Sequence, residues 1–380
     1  MTIAATSLVV SGLRFAAKYA LRGPIVEARE RAESIAVEQT IEFPADLVAD
    51  DDIRGQVIGR IESIRNVEPD LAVAEISYAV ETTGGELPQL LNVLFGNCSL
   101  LPDVRLVDIS LPDEFLTRFR GPQFGVEGLR ELIGVHGRPL LGTALKPMGL
   151  GSGALAEMAG TLARAGIDLI KDDHGLANQP FAEYEDRVGA CAAAVRAAND
   201  ETGRRALYLP SINAPADQVE SRARAAREAG AGGLLVLPGL AGFDTMRHLA
   251  DGAIGLPIMA HPAFLGSYVV TERSGVEHGL MLGTLMRLAG ADMTVFPSYG
   301  GRFTFDPEAC RSISTACETP LGRIAPIMPV PGGGMTLSRV DELVTFYGAD
   351  SVLLIGGNLH RGDLFENASR MRAAVEESAG

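Results

Sequence analysis

The stretch Arg138–His174, RPLLGTALKPMGLGSGALAEMAGTLARAGIDLIKDDH, contains one strand–helix–strand unit and decides how the rest of the chain is read. Pro139–Leu145 is a short apolar run that breaks at Lys146-Pro147, where proline fixes the backbone. Ala154–Ala165 has helical spacing, and Ile167–Lys171 is a second apolar run that ends on charged residues. The rhythm continues through Ala206–Ile212, Gly233–Pro238, Pro257–His261, Met293–Phe296, Ile324–Val330 and Ser351–Ile355. Ala-, Arg- and Glu-rich segments such as Ala216–Ala229 lie between these runs. Eight short apolar strands alternating with helices predict a closed (β/α)8 barrel, the TIM-barrel architecture. An open doubly wound sheet is the competitor, but no GxGxxG follows a first strand, and eight equivalent units favour closure.

Upstream, the pattern is mixed. Leu13–Leu21, Ile35–Phe43, Leu71–Val80 and Val104–Leu111 read as strands, with Pro24–Ser34 and Glu86–Phe95 as helices. Asp52–Ser63 reads as irregular or partly helical, and Phe119–Gly134 as a bridge into the barrel. This order predicts a ferredoxin-like α+β domain over residues 1–125 and a barrel over 126–380. A chain of 380 residues has room for both.

Composition narrows the function. Hydrophobic residues make up 47% and charged residues 21%, the balance of a soluble globular enzyme. Lys plus Arg is 33 against 48 for Asp plus Glu, and the net charge of −15 excludes a general nucleic-acid surface. An anionic substrate therefore needs a local site. Four cysteines, none in a CxxC pair, suit a reduced cytoplasmic setting and argue against structural zinc. The chain has no run of 18 apolar residues, and Arg14 and Lys18 interrupt its apolar start, so neither a membrane span nor a signal peptide is expected.

In such barrels the chemistry gathers at the C-terminal strand ends. Lys171-Asp172-Asp173-His174 closes the second barrel strand, and residues two apart in an extended segment face one way. Lys171 and Asp173 can therefore share a centre, with His174 turning in from the loop. A lysine ammonium repels a divalent cation, but a lysine carbamate offers hard oxygens suited to magnesium, and burial favours the neutral amine that forms it. The plain alternative is a Lys–Asp ion pair. Lys146 is a proton shuttle, an electrophile, a Schiff-base nucleophile or a rim lysine. His261, before Pro262 at a strand end, is a catalytic imidazole or a satisfied polar group. The loops Gly332-Gly333-Gly334 and Gly356-Gly357-Asn358 follow the seventh and eighth strands, where bare amides recurrently hold phosphate in this fold. Phe296–Arg302 forms a candidate mobile loop with a cation at its end.

Together these residues resemble the RuBisCO large subunit, and more closely the RuBisCO-like proteins often called type IV. The anchors are Gly142-Thr-Ala-Leu-Lys-Pro147 and Gly166-Ile-Asp-Leu-Ile-Lys-Asp-Asp-His174, continuing to Asn178-Gln-Pro-Phe181. The resemblance covers nearly the whole chain. It implies that Lys171 matches a carbamylated lysine, Asp173 a magnesium ligand, and His174 a position usually held by a carboxylate ligand. Lys146 matches the active-site lysine. Glu38 and Asn97 resemble residues that a partner subunit contributes, which implies a homodimer or larger homo-oligomer with shared sites. The departures matter as much. Met148, Pro262, Val295, Gly332 and Arg302 replace residues that carboxylating relatives use to bind a bisphosphate and add carbon dioxide.

The reading implied is metal-dependent enolisation of a monophosphorylated ketose without carboxylation. The forms expected are a 5-methylthioribulose 1-phosphate isomerase or a diketo-methylthiopentyl 1-phosphate enolase of methionine salvage. A decarboxylase of a sugar-acid phosphate, of the 3-oxo-isoapionate 4-phosphate type, is the runner-up. A catalytically silent regulatory protein and a Schiff-base aldolase are the further alternatives. Pro262, Val295, Met148 and Leu265 are expected to give the pocket an uncharged end.

Overall fold

The computed structural model describes residues 8–303 and 305–380. The strands in chain order are β1 (Arg14–Arg22), β2 (Arg60–Glu68), β3 (Leu71–Ala79) and β4 (Val104–Ser110). They continue with β5 (Leu140–Leu145), β6 (Leu169–Asp172), β7 (Leu207–Leu209), β8 (Leu234–Val236) and β9 (Ile258–Ala260). The series ends with β10 (Gly275–Val276), β11 (Met293–Pro297), β12 (Met328–Gly332) and β13 (Val352–Ile355). Two compact units result: 1–119 with 266–281 and 321–323, and the remainder from 120 to 380.

In the first unit the sheet order is β10-β4-β1-β3-β2, antiparallel except for the added β10. With helix Ile25–Glu38 between β1 and β2 and helix Leu87–Phe95 between β3 and β4, this is the ferredoxin-like βαββαβ arrangement. Alternate residues of β1, from Phe15 to Leu21, are buried, giving the sheet one packed face. One local expectation fails and one strand is absent from the sequence reading, each for its own reason. Ile35–Phe43 is not a strand, because Ala28, Ala32, Ile35 and Ala36 form a single buried helical stripe that carries the helix on to Glu38. The missing strand is β2, an edge strand exposed along most of its length, so no apolar alternation marks it.

In the second unit eight parallel strands follow the order β7-β6-β5-β13-β12-β11-β9-β8. The ends of this series meet through a Ser211–Leu235 bridge, where Leu235 N donates to Pro210 O at 2.9 Å and Ile212 N to Leu235 O at 3.1 Å. The barrel is therefore closed, and all eight strand positions agree with the sequence reading to within a few residues. Leu140, Leu169, Leu209, Leu235, Met259, Met293, Met328 and Val352 fill its interior. Val126, Leu129 and Ile133 of helix Gly125–Ile133 join that core, so Phe119–Gly134 is more than a bridge. Among the described residues no helix is long and apolar enough to cross a membrane.

Candidate active site

The site starts at the end of β6, where strand alternation separates three consecutive charged residues. Asp172 turns away into the wall and is fully buried. It accepts from Arg187 Nε at 3.1 Å, Tyr208 Oη at 2.7 Å and Ser211 N at 3.0 Å. Burial raises its carboxyl pKa and the Arg187 charge opposes that shift. Losing Arg187 would strand a buried carboxylate at a cost of about 3–5 kcal/mol. Asp172 thus anchors the strand end. Lys171 and Asp173 are left for the barrel mouth.

The parallel register pairs Ala144 with Lys171 and Leu145 with Asp172, and one more step sets Lys146 level with Asp173. Lys146 Nζ lies 3.2 Å from Asp173 Oδ1, and His174 Nδ1 lies 3.6 Å from the same oxygen. The ion pair anticipated here therefore belongs to Lys146 and not to Lys171. Lys171 Nζ donates to Asp172 O at 2.9 Å. Burial brings the Lys171 amine down to about 8, helped by Lys146 and opposed by Asp173 and Asp172. Burial disfavours the charged form of Asp173, but His174, Lys146 and Lys171 outweigh it and hold the carboxyl well below the usual carboxylate range.

His261 follows β9. Its ring stacks on His174, with centroids 4.7 Å apart and planes within 8°. Burial first, then the charges of Lys171, His174 and Lys146, push this imidazole down to about 2, against Asp173. A cluster from three strand ends is thus assembled from Lys146, Lys171, Asp173, His174 and His261.

Among the described residues no three His, Cys, Asp or Glu side chains gather as a ready-made metal centre. Asp173 and His174 offer a carboxylate and an imidazole side by side, and Lys171 can add oxygen donors only as a carbamate. A buried amine with its pKa lowered to about 8 supplies the neutral form that carbamylation needs. The residues fit a divalent cation in that modified form.

The glycine loops lie after β12 and β13. A Cβ added at Gly333, Gly356 or Gly357 would meet nothing within 4 Å, so their backbone faces open space. Gly333 has φ +93° and Gly334 φ +69°, and a Cβ at Gly334 would come within 3.1 Å of both Gly300 O and Arg339 Nη1. Glycine there is a packing requirement. Arg339, which the sequence reading missed, laces this side together. Its Nη1 donates to Tyr299 O at 3.3 Å and to Gly334 O at 3.2 Å, and Nε and Nη2 grip the Glu342 carboxylate at 3.0 and 2.8 Å. Asn358 Nδ2 donates to Met335 O at 2.7 Å, so its amide joins two loops. His360, also missed, closes the turn Gly357–His360, and burial and the Lys146 charge lower its pKa. Its place three residues after Gly357 was the available signal.

Other expected residues lie differently. Arg302 is exposed, its guanidinium 5.0 Å from the centre of the Phe303 ring. Leu265 adds no pocket surface, because it is buried beneath Gly239. Instead Phe264 is 75% exposed, with φ +72°, and Met148 is 49% exposed. In the first unit Asn97 Nδ2 donates to Glu38 Oε1 at 2.9 Å.

Comparison with known proteins matches residues 125–376 to the model of the ribulose bisphosphate carboxylase large chain, catalytic domain. A 5-methylthioribulose-1-phosphate isomerase from Rhodospirillum rubrum is 38% identical over 96% of this chain and 97% of that protein. A 2,3-diketo-5-methylthiopentyl-1-phosphate enolase from Geobacillus kaustophilus is 34% identical over 88% of this chain and 84% of its own length. The crystal structure of a Rubisco-like protein from Rhodopseudomonas palustris superposes with a TM-score of 0.87 at 38% identity, covering 96% of this chain and 98% of that one.

Proposed function

Because the chain belongs to the RuBisCO large-chain family, and within it to the RuBisCO-like proteins, we propose that it is an enolising isomerase of 5-methylthioribulose 1-phosphate or a close analogue, and not a carboxylase. The observation that carries this reading is the division of the barrel mouth. Ionisable groups cluster around Asp173 at one side, and open glycine backbone able to hold a single phosphate lies at the other.

Gly333, Gly356 and Gly357 present backbone to the phosphate, which fixes the sugar chain relative to the Asp173 cluster. Lys146, partly exposed and paired with Asp173, moves the proton from one carbon of the enediol to the other. Lys171 as a carbamate, Asp173 and His174 would hold a divalent cation, magnesium in the first instance, which supplies Lewis-acid stabilisation of the enediolate oxygens. Met148 and Phe264 offer apolar surface that suits a methylthio end better than a second phosphate. The same reading makes the enzyme a cytoplasmic homodimer or larger homo-oligomer, in which Glu38 and Asn97 complete a neighbour's site.

Arg302 favours a second reading, the decarboxylase of a 3-oxo sugar-acid phosphate, because an exposed guanidinium can receive a carboxylate. Proton NMR in deuterium oxide separates the two. With 5-methylthioribulose 1-phosphate, deuterium should enter the carbon next to the carbonyl and an isomer should accumulate. Ribulose 1,5-bisphosphate with labelled bicarbonate should give no phosphoglycerate. If neither exchange nor isomer appears while a 3-oxo acid phosphate releases carbon dioxide, the decarboxylase reading replaces this one.

A further inference from the structure

His261 is held at three points. Its backbone N–H donates to Val236 O at 2.8 Å, its ring lies flat against His174, and its Nδ1 accepts the Ala263 N–H at 3.2 Å. Pro262 carries no N–H, so Ala263 is the first amide after the histidine that can reach back to the ring. A ring nitrogen that accepts a hydrogen bond carries a lone pair. The ring proton must then sit on the other nitrogen.

From this geometry we infer that His261 is fixed as the neutral Nε2–H tautomer and serves as a hydrogen-bond donor to a substrate oxygen, not as the base that removes the substrate's proton. Its use in catalysis rests on the enolisation reading; the tautomer does not. Enolisation builds negative charge on oxygen, and a donor oriented beforehand stabilises that charge without reorganising. The stack on His174 sets the ring plane, and the Ala263 contact stops the ring from turning its lone pair toward the substrate.

Nitrogen-15 NMR of histidine-labelled protein without substrate tests the tautomer, with the His261 signals identified by their loss in His261→Gln. A protonated Nε2 and an unprotonated Nδ1 are expected; the reverse pattern, or protons on both nitrogens, overturns the inference. Deuterium exchange into substrate tests the role. Glutamine can place an N–H near the Nε2 position, so His261→Gln should keep activity within about tenfold, whereas His261→Ala should lose about a hundredfold, the usual cost of removing one such donor. If the glutamine variant falls as far as the alanine variant while both keep the wild-type circular dichroism, the donor role is wrong. If wild-type protein exchanges nothing, the enolisation reading fails, and the nitrogen spectrum still decides the tautomer.

Discussion

Around the ends of β5, β6 and β9 the barrel mouth carries ionisable side chains: Lys146, Lys171, Asp173, His174 and His261. After β12 and β13 the lining is glycine backbone, and the side chains there, Arg339 and Asn358, are turned to joining loops. The first side works through charge that its neighbours tune. The second works through shape, with amides whose donor strength does not change with pH. On the proposed function, binding and bond-making fall to different materials, and damage to each side should leave a different kinetic signature.

Removing the amine should have the largest effect. Lys171→Met should lower deuterium exchange by about a thousandfold, within the range for loss of acid–base or metal function. Inorganic phosphate should still bind it within about threefold of wild type, since no glycine loop is touched. A variant that loses phosphate binding equally would show that the two sides are one coupled unit.

Metal removal comes next. Dialysis against a chelator should lower activity by about a hundredfold, and magnesium should restore it. Full turnover in chelated, metal-free protein would leave Asp173 and His174 with no cation to hold.

On the anchoring side, Arg339→Ala should raise KM by about tenfold and leave kcat within about twofold, because a loosened cradle weakens binding that ground state and transition state share. Arg339→Lys should recover little, since one ammonium cannot replace the guanidinium fork. An equal fall in kcat would place Arg339 in the chemistry.

The smallest effect separates the sides by pH. The Lys171 amine is lowered from 10.5 to about 8 by burial, so unfolded chain takes up a proton that folded chain lacks between those values. The burial penalty is therefore present in full below pH 8, and it fades as pH rises from 8 towards 10.5. Lys171→Met should unfold at a higher temperature than wild type at about pH 7, a gain of at most about 3 kcal/mol, and the gap should narrow above about pH 8. Arg339→Ala should show no such trend across the same range, as chemical or thermal unfolding at several pH values will reveal.

Much of the catalytic side was legible because it depends on local rules. Alternation along β6 puts Lys171 and Asp173 on one side, and the parallel register then brings Lys146 alongside, although the pairing of Lys146 with Asp173 needed that register to be known. Arg339 was not legible and His360 only by its place after Gly357, because what they meet, Tyr299, Gly334 and Lys146, lies across loops. Leu265 misled because its apolar character shows only that it avoids water. Burial beneath Gly239 and exposure into a pocket look the same in a sequence.

The amino-acid order by itself determined the eight strand–helix units, the ferredoxin-like start, and the positions of Lys146, Lys171, Asp173, His174, His261 and the glycine loops. These follow from periodicity and from strand ends, which are properties of a few neighbouring residues. Only the tertiary structure decided that β2 is an exposed edge, that Asp172 is locked to Arg187 and Tyr208, and that Asp173 pairs with Lys146. It also decided that Lys171 is buried, which lowers its amine pKa to about 8, and that the Ala263 N–H reaches back to His261 Nδ1. Partner choice and desolvation depend on which distant residues arrive at the same place, and only the closed barrel settles that.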